Sequence, residues 1–214
     1  AHGRGIEIGE RRAGIGPQDI AAMAIAVQAD VADGRARLQA LVESACAGLG
    51  ADVKAEPVLA ETRRNLYDGV PIDEVYKASI LAARTLIEKE PSYTRATARL
   101  LLHTIRREIL GEDVSQAEMA TRYAEYFPGF VRTGIAAELL DERLAQYDLE
   151  RLGAALKPER DLQFDYLGLQ TLYDRYFLHI DEQRIEMPQA FFMRVAMGLA
   201  LNEIDREARA VEFY

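Results

Sequence analysis

The chain has 214 residues, 49% of them hydrophobic and 29% charged, with a formal net charge of −9 and a single cysteine. That length supports one substantial core or two small domains, and the acidic balance argues against nucleic acid as the main partner, because phosphate binding is driven by cationic side chains. The lone Cys46 excludes an intrachain disulfide and suits a reducing cytoplasm, while no apolar run approaches the ~20 residues a membrane span requires.

Taken in chain order, the opening residues carry Gly3, Gly5, Gly9, Gly14 and Gly16 and read as a loop. A first helix is predicted from Pro17 to Ala29, with proline in its first turn. A second runs from Arg35 to Gly48, where Leu38, Leu41, Val42 and Ala45 recur at helical spacing and Gly48 and Gly50 supply a stop. A third takes Pro57 to Tyr67 and ends at Asp68-Gly69. From Asp73 to Glu88, Val75, Ser79, Ala82 and Leu86 lie beside Tyr76, Ile80, Ala83 and Ile87, a wide apolar face. Pro91 then breaks the chain. The helix that follows, Ser92 to Leu110, turns Ala98, Leu101, Leu102, Ile105 and Ile109 to one side and is closed by Gly111.

Ser115 with Glu118 makes a capping box for a helix from Gln116 to Phe127, which Pro128-Gly129 is expected to end. Short helical turns follow between Ala137 and Leu156, then a helix from Asp165 to Tyr176. Phe177 to Glu186 reads as a short β-hairpin turning on Asp181-Glu182-Gln183. Pro188 opens a last long helix, and Asp205 caps one more that runs to Tyr214. The fold class is therefore mainly α: a helical bundle with orthogonal helices and one hairpin near 177–186. Phe191, Phe192 and Phe213 are candidates for an apolar patch exposed where a neighbouring part of a longer protein would otherwise pack.

Catalytic patterns are scarce. His2, His103, His179 and Cys46 lie in different elements without the short spacings of a zinc site. Neither a Gly-x-Ser-x-Gly elbow nor a phosphate loop occurs. Asp73-Glu74 and Asp141-Glu142 fit solvated helix starts, where the macrodipole favours acids, and Cys46 fits a small buried hydrophobe. One constellation stands apart. Arg95, Arg99, His103, Arg106 and Arg107 share an arc of the Ser92–Leu110 helix, with Arg84 and Lys89 just upstream. Such guanidinium forks can grip phosphate; the same pattern also describes a solvated basic face paired with Glu88, Glu90 and Glu108. The candidate nucleotide- or phosphate-binding residues are Arg95, Arg99, His103 and Arg106.

Two stretches carry a family resemblance. One is Asn65-Leu66-Tyr67-Asp68-Gly69-Val70-Pro71, continuing through Ile80–Arg84 to Tyr93-Thr94-Arg95-Ala96-Thr97-Ala98-Arg99. The other is Arg160-Asp161-Leu162, Tyr166, Leu169 to Tyr176, Arg184-Ile185-Glu186-Met187-Pro188-Gln189 and Met193-Arg194-Val195-Ala196-Met197-Gly198. In this order and spacing they resemble the N-terminal helical region of the class I ribonucleotide reductase large subunit, over Ala60 to Tyr214 and more loosely from Arg35. The resemblance implies a piece of a longer chain, divided into a loop and first helix with linker character (1–34), a helical bundle like the family's ATP-cone (35–111) and an N-terminal helical domain (112–214). That domain would lead into a catalytic α/β barrel holding the radical and redox cysteines and catalytic Asn and Glu, all beyond Tyr214.

The parent reaction would be the reduction of ribonucleoside diphosphates to deoxyribonucleotides for DNA synthesis, and the piece alone would be inactive. ATP and dATP are the family's allosteric effectors, with no cofactor in the piece itself. Implied partners are the rest of the same large subunit, a second large subunit and the radical-carrying small subunit, in the cytoplasm. The cone's cap sequence is missing, Gly9-Glu10-Arg11-Arg12-Ala13-Gly14 being a poor substitute, and Ile72 and Tyr76 stand where Thr and His can occur. A degenerate cone is therefore expected, one that does not bind ATP or dATP tightly. The alternatives are a free-standing nucleotide-sensing module gripping phosphate through Arg95, Arg99, His103 and Arg106, and an interaction domain without a ligand.

Overall fold

A computed structural model describes residues 33–67 and 69–214. The glycine-rich opening, the Pro17–Ala29 helix and Asp68 lie outside the described residues. Two compact units are distinguished, Ala1–Arg37 and Leu38–Tyr214. In the first, residues 33–37 are helical, and Arg37 pairs with Asp33 at 2.8 Å. The second contains helical residues 38–46 (α1), then α2 (Ala55–Arg64), α3 (Ile72–Thr85), α4 (Tyr93–Leu110) and α5 (Met119–Ala136). After these come α6 (Leu149–Ala154), α7 (Tyr166–Arg175), strands β1 (His179–Ile180) and β2 (Gln183–Arg184), α8 (Pro188–Ala200) and α9 (Arg206–Phe213). Short 3₁₀ turns at Gln116–Glu118, Glu142–Gln146 and Pro158–Gln163 link them. The expected mainly α fold with a single hairpin is what the described residues form.

Two apolar cores organise this unit. The first is built by α1–α4, with Val42, Val58, Leu59, Ala83, Leu100 and Ile105 among its buried members, and it also takes in Leu169 of α7 and Phe177. The second gathers α5, α6, α8 and α9 around Tyr123, Phe127, Val131, Leu152, Met193 and Met197. The helix α4 is buried on most of its circumference, at Tyr93, Ala96, Thr97, Ala98, Leu100, Leu101, Leu102, Ile105 and Arg106, as a central helix must be. Gly111 ends it in the left-handed conformation (φ 77°), donating its N–H to the Arg107 carbonyl, the stop that the sequence implies.

The second core corrects one expectation. Pro128 does not end its helix: α5 continues to Ala136 with Pro128 inside it. Proline forfeits one backbone hydrogen bond, the one to Ala124 four residues back. Burial of Phe127, Pro128, Phe130 and Val131 in the core offsets that loss, each large apolar side chain contributing about 1.5–3 kcal/mol. The carbonyl of Ala124 faces α6 at Gly153, where a Cβ would stand 3.1 Å from it, so any larger residue would have to push the two helices apart by a few tenths of an ångström.

The hairpin is tighter than expected. Gln183 pairs with Ile180, which leaves Asp181 and Glu182 as a two-residue turn, both at positive φ (48° and 68°). That is the primed geometry that matches strand twist, usually made with Asn-Gly. Glu108 of α4 anchors the hairpin by accepting from the Arg184 N–H at 2.8 Å and the Tyr173 hydroxyl at 2.7 Å. Burial and that bond push the Tyr173 hydroxyl up to about 12. Of the anticipated surface patch, Phe191 is half-buried among Phe177, Tyr176 and Phe192, whereas Phe213 is 43% exposed with the Arg209 guanidinium over its ring. What α8 exposes is a stripe of Phe192, Val195 and Leu199 (39%, 42% and 69% exposed), with Phe164 stacked on Phe192.

Candidate functional site

Helical spacing puts Arg95, Arg99, His103 and Arg106 along α4, but each meets a different part of the protein. Arg95, in the first turn, is half-exposed and stands 3.8 Å from Asp165, which precedes α7. Arg99 reaches back to the end of α1, where its Nη1 donates to the carbonyls of Ala45 (3.1 Å) and Ala47 (2.7 Å). Those are orphan acceptors at a helix C-terminus, where the macrodipole also favours a cation. Burial lowers the Arg99 guanidinium's pKa from its ordinary value, and the charge of Arg95 adds to this. Cys46 is buried beside it; burial raises its thiol pKa, with Arg99 opposing. That position makes Cys46 an inert packing residue rather than a nucleophile.

His103 lies edge-on to the Tyr76 ring at 4.7 Å. Its Nε2 is 3.3 Å from Asp113 without hydrogen-bond alignment. Burial pushes the imidazole pKa below 6.5; the carboxylate of Asp113 opposes that shift, and Arg107 and Arg106 reinforce it. Its burial thus disfavours the imidazolium form. Arg107 pairs with Asp73 (2.8 Å) and Asp113 (2.9 Å), clamping the start of α3 to the end of α4.

Arg106 is the most deeply committed. Only 4% exposed, it donates through Nη2 to Asp161 Oδ2 (2.8 Å) and Gln116 Oε1 (2.7 Å). The Asp161 carboxylate, itself buried, also accepts from the Tyr123 hydroxyl (2.9 Å) and the Gln189 side-chain amide (2.7 Å). Gln189 in turn accepts from the Tyr214 hydroxyl at 2.6 Å, which itself accepts from the Lys157 N–H at 2.8 Å. Gln116 donates onward to the Pro158 carbonyl at 2.9 Å. Burial pushes the Asp161 carboxyl up, and Arg106, Gln189 and Tyr123 pull it back. This polar joint ties α4, α5, the 3₁₀ turn at Pro158–Gln163, α8 and α9 together where the two cores meet.

Charge pattern alone misses Asp161, Gln116, Tyr123 and Gln189. Arg160-Asp161 and Pro188-Gln189 do fall within the stretches of family resemblance, the one signal that could have marked them. Among the described residues no cluster of three or more His, Cys, Asp or Glu could hold a metal ion, and no helix is long and apolar enough to cross a membrane.

The family model described as ribonucleotide reductase, all-alpha domain, matches residues 162–214. The chain is 44% identical over 150 residues to the ribonucleoside-diphosphate reductase subunit alpha of Chlamydia trachomatis, covering 70% of this chain and 14% of that protein. The chain belongs to the ribonucleotide reductase large-subunit family. It is 35% identical over 159 residues to the Helicobacter pylori alpha subunit (72% of this chain, 19% of that protein) and 28% identical over 179 residues to the Danio rerio large subunit (83% and 22%). The chain thus spans 14% to 22% of the length of these reductase subunits. The all-alpha domain match begins directly after Asp161 and supplies Gln189 and Tyr214 to the buried joint.

Proposed function

We propose that this chain is a scaffold and regulatory part of a ribonucleoside-diphosphate reductase large subunit, contributing no reacting residue of its own. The observation that carries the reading is the all-alpha match over α7–α9 together with the internal use of the polar groups on α4. In this reading residues 112–214 are the N-terminal helical domain, and the α8 stripe of Phe192, Val195 and Leu199 is covered by the rest of the same subunit, whose barrel performs the reduction. A second large subunit and a radical-carrying small subunit complete a cytoplasmic enzyme. Residues 35–111 are the cone-like bundle, and ATP and dATP act on the parent through a site this segment does not keep intact.

Three physical facts support the last point. Arg99 is spent on the α1 carbonyls, Arg106 on Asp161, and burial of His103 disfavours its charged form. Calorimetry of the chain with dATP and ATP tests it: no complex at micromolar concentration is expected, and one of micromolar affinity or tighter overturns it. A reductase assay of the chain alone is expected to show no turnover. The second reading, a nucleotide-sensing module, has Arg95 in its favour, whose side chain is 53% exposed. In that case Arg95→Ala and Arg99→Ala together would abolish a dATP-induced thermal shift of the unaltered chain.

A further inference from the structure

Three sets of contacts cross the proposed boundary between residues 35–111 and 112–214. Leu169 of α7 and Phe177 are buried in the core that α1–α4 build. Glu108, in the last turns of α4, holds the Arg184 N–H and the Tyr173 hydroxyl. The third set is the joint around Asp161, which extends as far as α9. Helix α4 packs on α3, α7, β2 and the Pro158–Gln163 turn, and that turn packs on α5 and α8. The turn carrying Asp161 is thus a wedge through which α4 meets the second core.

Apolar contacts such as those of Leu169 are non-directional. The joint is directional at every step. Arg106 reaches both Asp161 and Gln116 through Nη2, and its buried Nε has no hydrogen-bond partner among the described residues. Asp161 holds Arg106 and Tyr123 on Oδ2 and Gln189 on Oδ1, and Gln189 Oε1 holds the Tyr214 hydroxyl. Arg160 fixes the same tyrosine by donating to its carbonyl at 2.6 Å with the guanidinium 4.7 Å over its ring. Arg106, Asp161, Tyr123 and Gln189 are each at most 4% exposed. Solvent does not reach them, so a shift of α4 against α8 or α9 leaves a buried group unpaired. We infer that this joint couples the α1–α4 bundle to the end of α9, so that the bundle is carried rigidly on the helical domain rather than hinged to it. A displacement at either end is passed on through Asp161 or breaks the joint, because packed interiors do not deform continuously. The regulatory meaning rests on the reading of this chain as part of a reductase subunit, in which the joint holds the cone-like bundle in fixed register with the helical domain. The coupling itself is measured in the chain alone, so its failure and the failure of that reading are separate results.

The test is a double-mutant cycle between the two ends of the joint, which share no bond and are joined through Asp161 and Gln189. Urea melts compare the full chain with Arg106→Lys, Tyr214→Phe and the double variant. Lysine keeps a cation against Asp161 but loses the planar fork, and phenylalanine keeps the ring under Arg160 but drops the hydroxyl. The folding equilibrium constant of the double variant is expected to depart from the product of the single effects by about threefold or more. In parallel, NMR follows the side-chain Nε–H resonance of Arg106. Tyr214→Phe is expected to move it, whereas Arg209→Ala, which loosens α9 at Glu203 and Glu212 outside the joint, is expected to leave it in place. A departure below about threefold overturns the coupling. So does an Arg106 resonance that stays in place in Tyr214→Phe, or one that moves equally in Arg209→Ala, since general loosening of α9 would then explain it. Gln116→Met, which removes the second acceptor of Arg106, takes the place of Arg106→Lys in the cycle if that variant folds poorly.

Discussion

Removal of Asp161 is expected to be the most damaging single change in the joint between the two cores. Its side chain is fully buried and that of Arg106 is 5% exposed, so Asp161→Ala leaves a guanidinium in the interior with Gln116 as its remaining partner. It also takes the acceptor from Tyr123 and from Gln189. Breaking a buried pair from one side costs about 3–5 kcal/mol. For a chain of this size each kcal/mol moves the melting temperature by roughly 2–4 °C, so a fall of about 6–20 °C is expected. Asp161→Asn keeps the shape and one acceptor oxygen and should lose about half as much, which keeps the effect measurable if the alanine variant folds poorly. The double change Arg106→Met with Asp161→Leu removes both charges. It leaves the neutral donors of Tyr123 and Gln189 and the partly buried Gln116 acceptor without these partners, for about 1–3 kcal/mol. Urea and thermal melts of the four proteins decide the matter. An Asp161→Ala loss below about 1 kcal/mol, or a double variant no more stable than Asp161→Ala, refutes the reasoning, because the pair would then not be the interior charge contact the geometry describes.

Other outcomes follow from single contacts. Burial holds His103 below 6.5 in the folded state, so the unfolded chain takes up the proton first; stability is complete above that pH and declines as pH falls below it. A His103→Phe variant should lose that decline in melts recorded between about pH 7 and pH 5, and an unchanged profile counts against it. Gly153→Ala must push α6 off the Ala124 carbonyl 3.1 Å away, and a loss of about 1–3 kcal/mol in urea melts is expected. Glu182→Gly relieves a positive φ of 68° at the hairpin tip and should raise stability by about 1 kcal/mol, without shifting amide resonances beyond the hairpin.

What the sequence makes legible is local. Ser115 and Glu118 form their capping box, Gly111 stops α4, Pro188 opens α8, and Asp205 caps α9 by accepting from the Ala208 N–H. The apolar stripes of α3 and α4 are buried as their spacing implies, apart from Leu86, Ile87 and Ile109, which are partly buried. Pro128 is misread because its missing N–H is visible locally, whereas the burial that outweighs it depends on distant elements such as α6, whose Gly153 packs against Phe127. The partners of the basic arc are hidden from the sequence for a related reason. Spacing sets Arg99 and Arg106 on one helix, but the Ala47 carbonyl is 52 residues from Arg99 and Asp161 is 55 from Arg106. The return of Leu169 and Phe177 to the core built by α1–α4 is equally non-local.

These distant partners bear directly on whether α4 can serve as a phosphate grip. A nucleotide that recruited Arg106 would have to detach it from Asp161, leaving a carboxylate buried with two neutral donors. At about 3–5 kcal/mol for the broken pair, and 1.4 kcal/mol per factor of ten, the apparent affinity falls by roughly two to three and a half orders of magnitude. Recruiting Arg99 would in addition strip the cap from the α1 carbonyls. His103 could help only after taking up a proton that its burial disfavours. Arg95 is left, and one half-exposed guanidinium 3.8 Å from Asp165 is an ordinary surface pair worth about 0–1 kcal/mol, far short of what a specific triphosphate site needs.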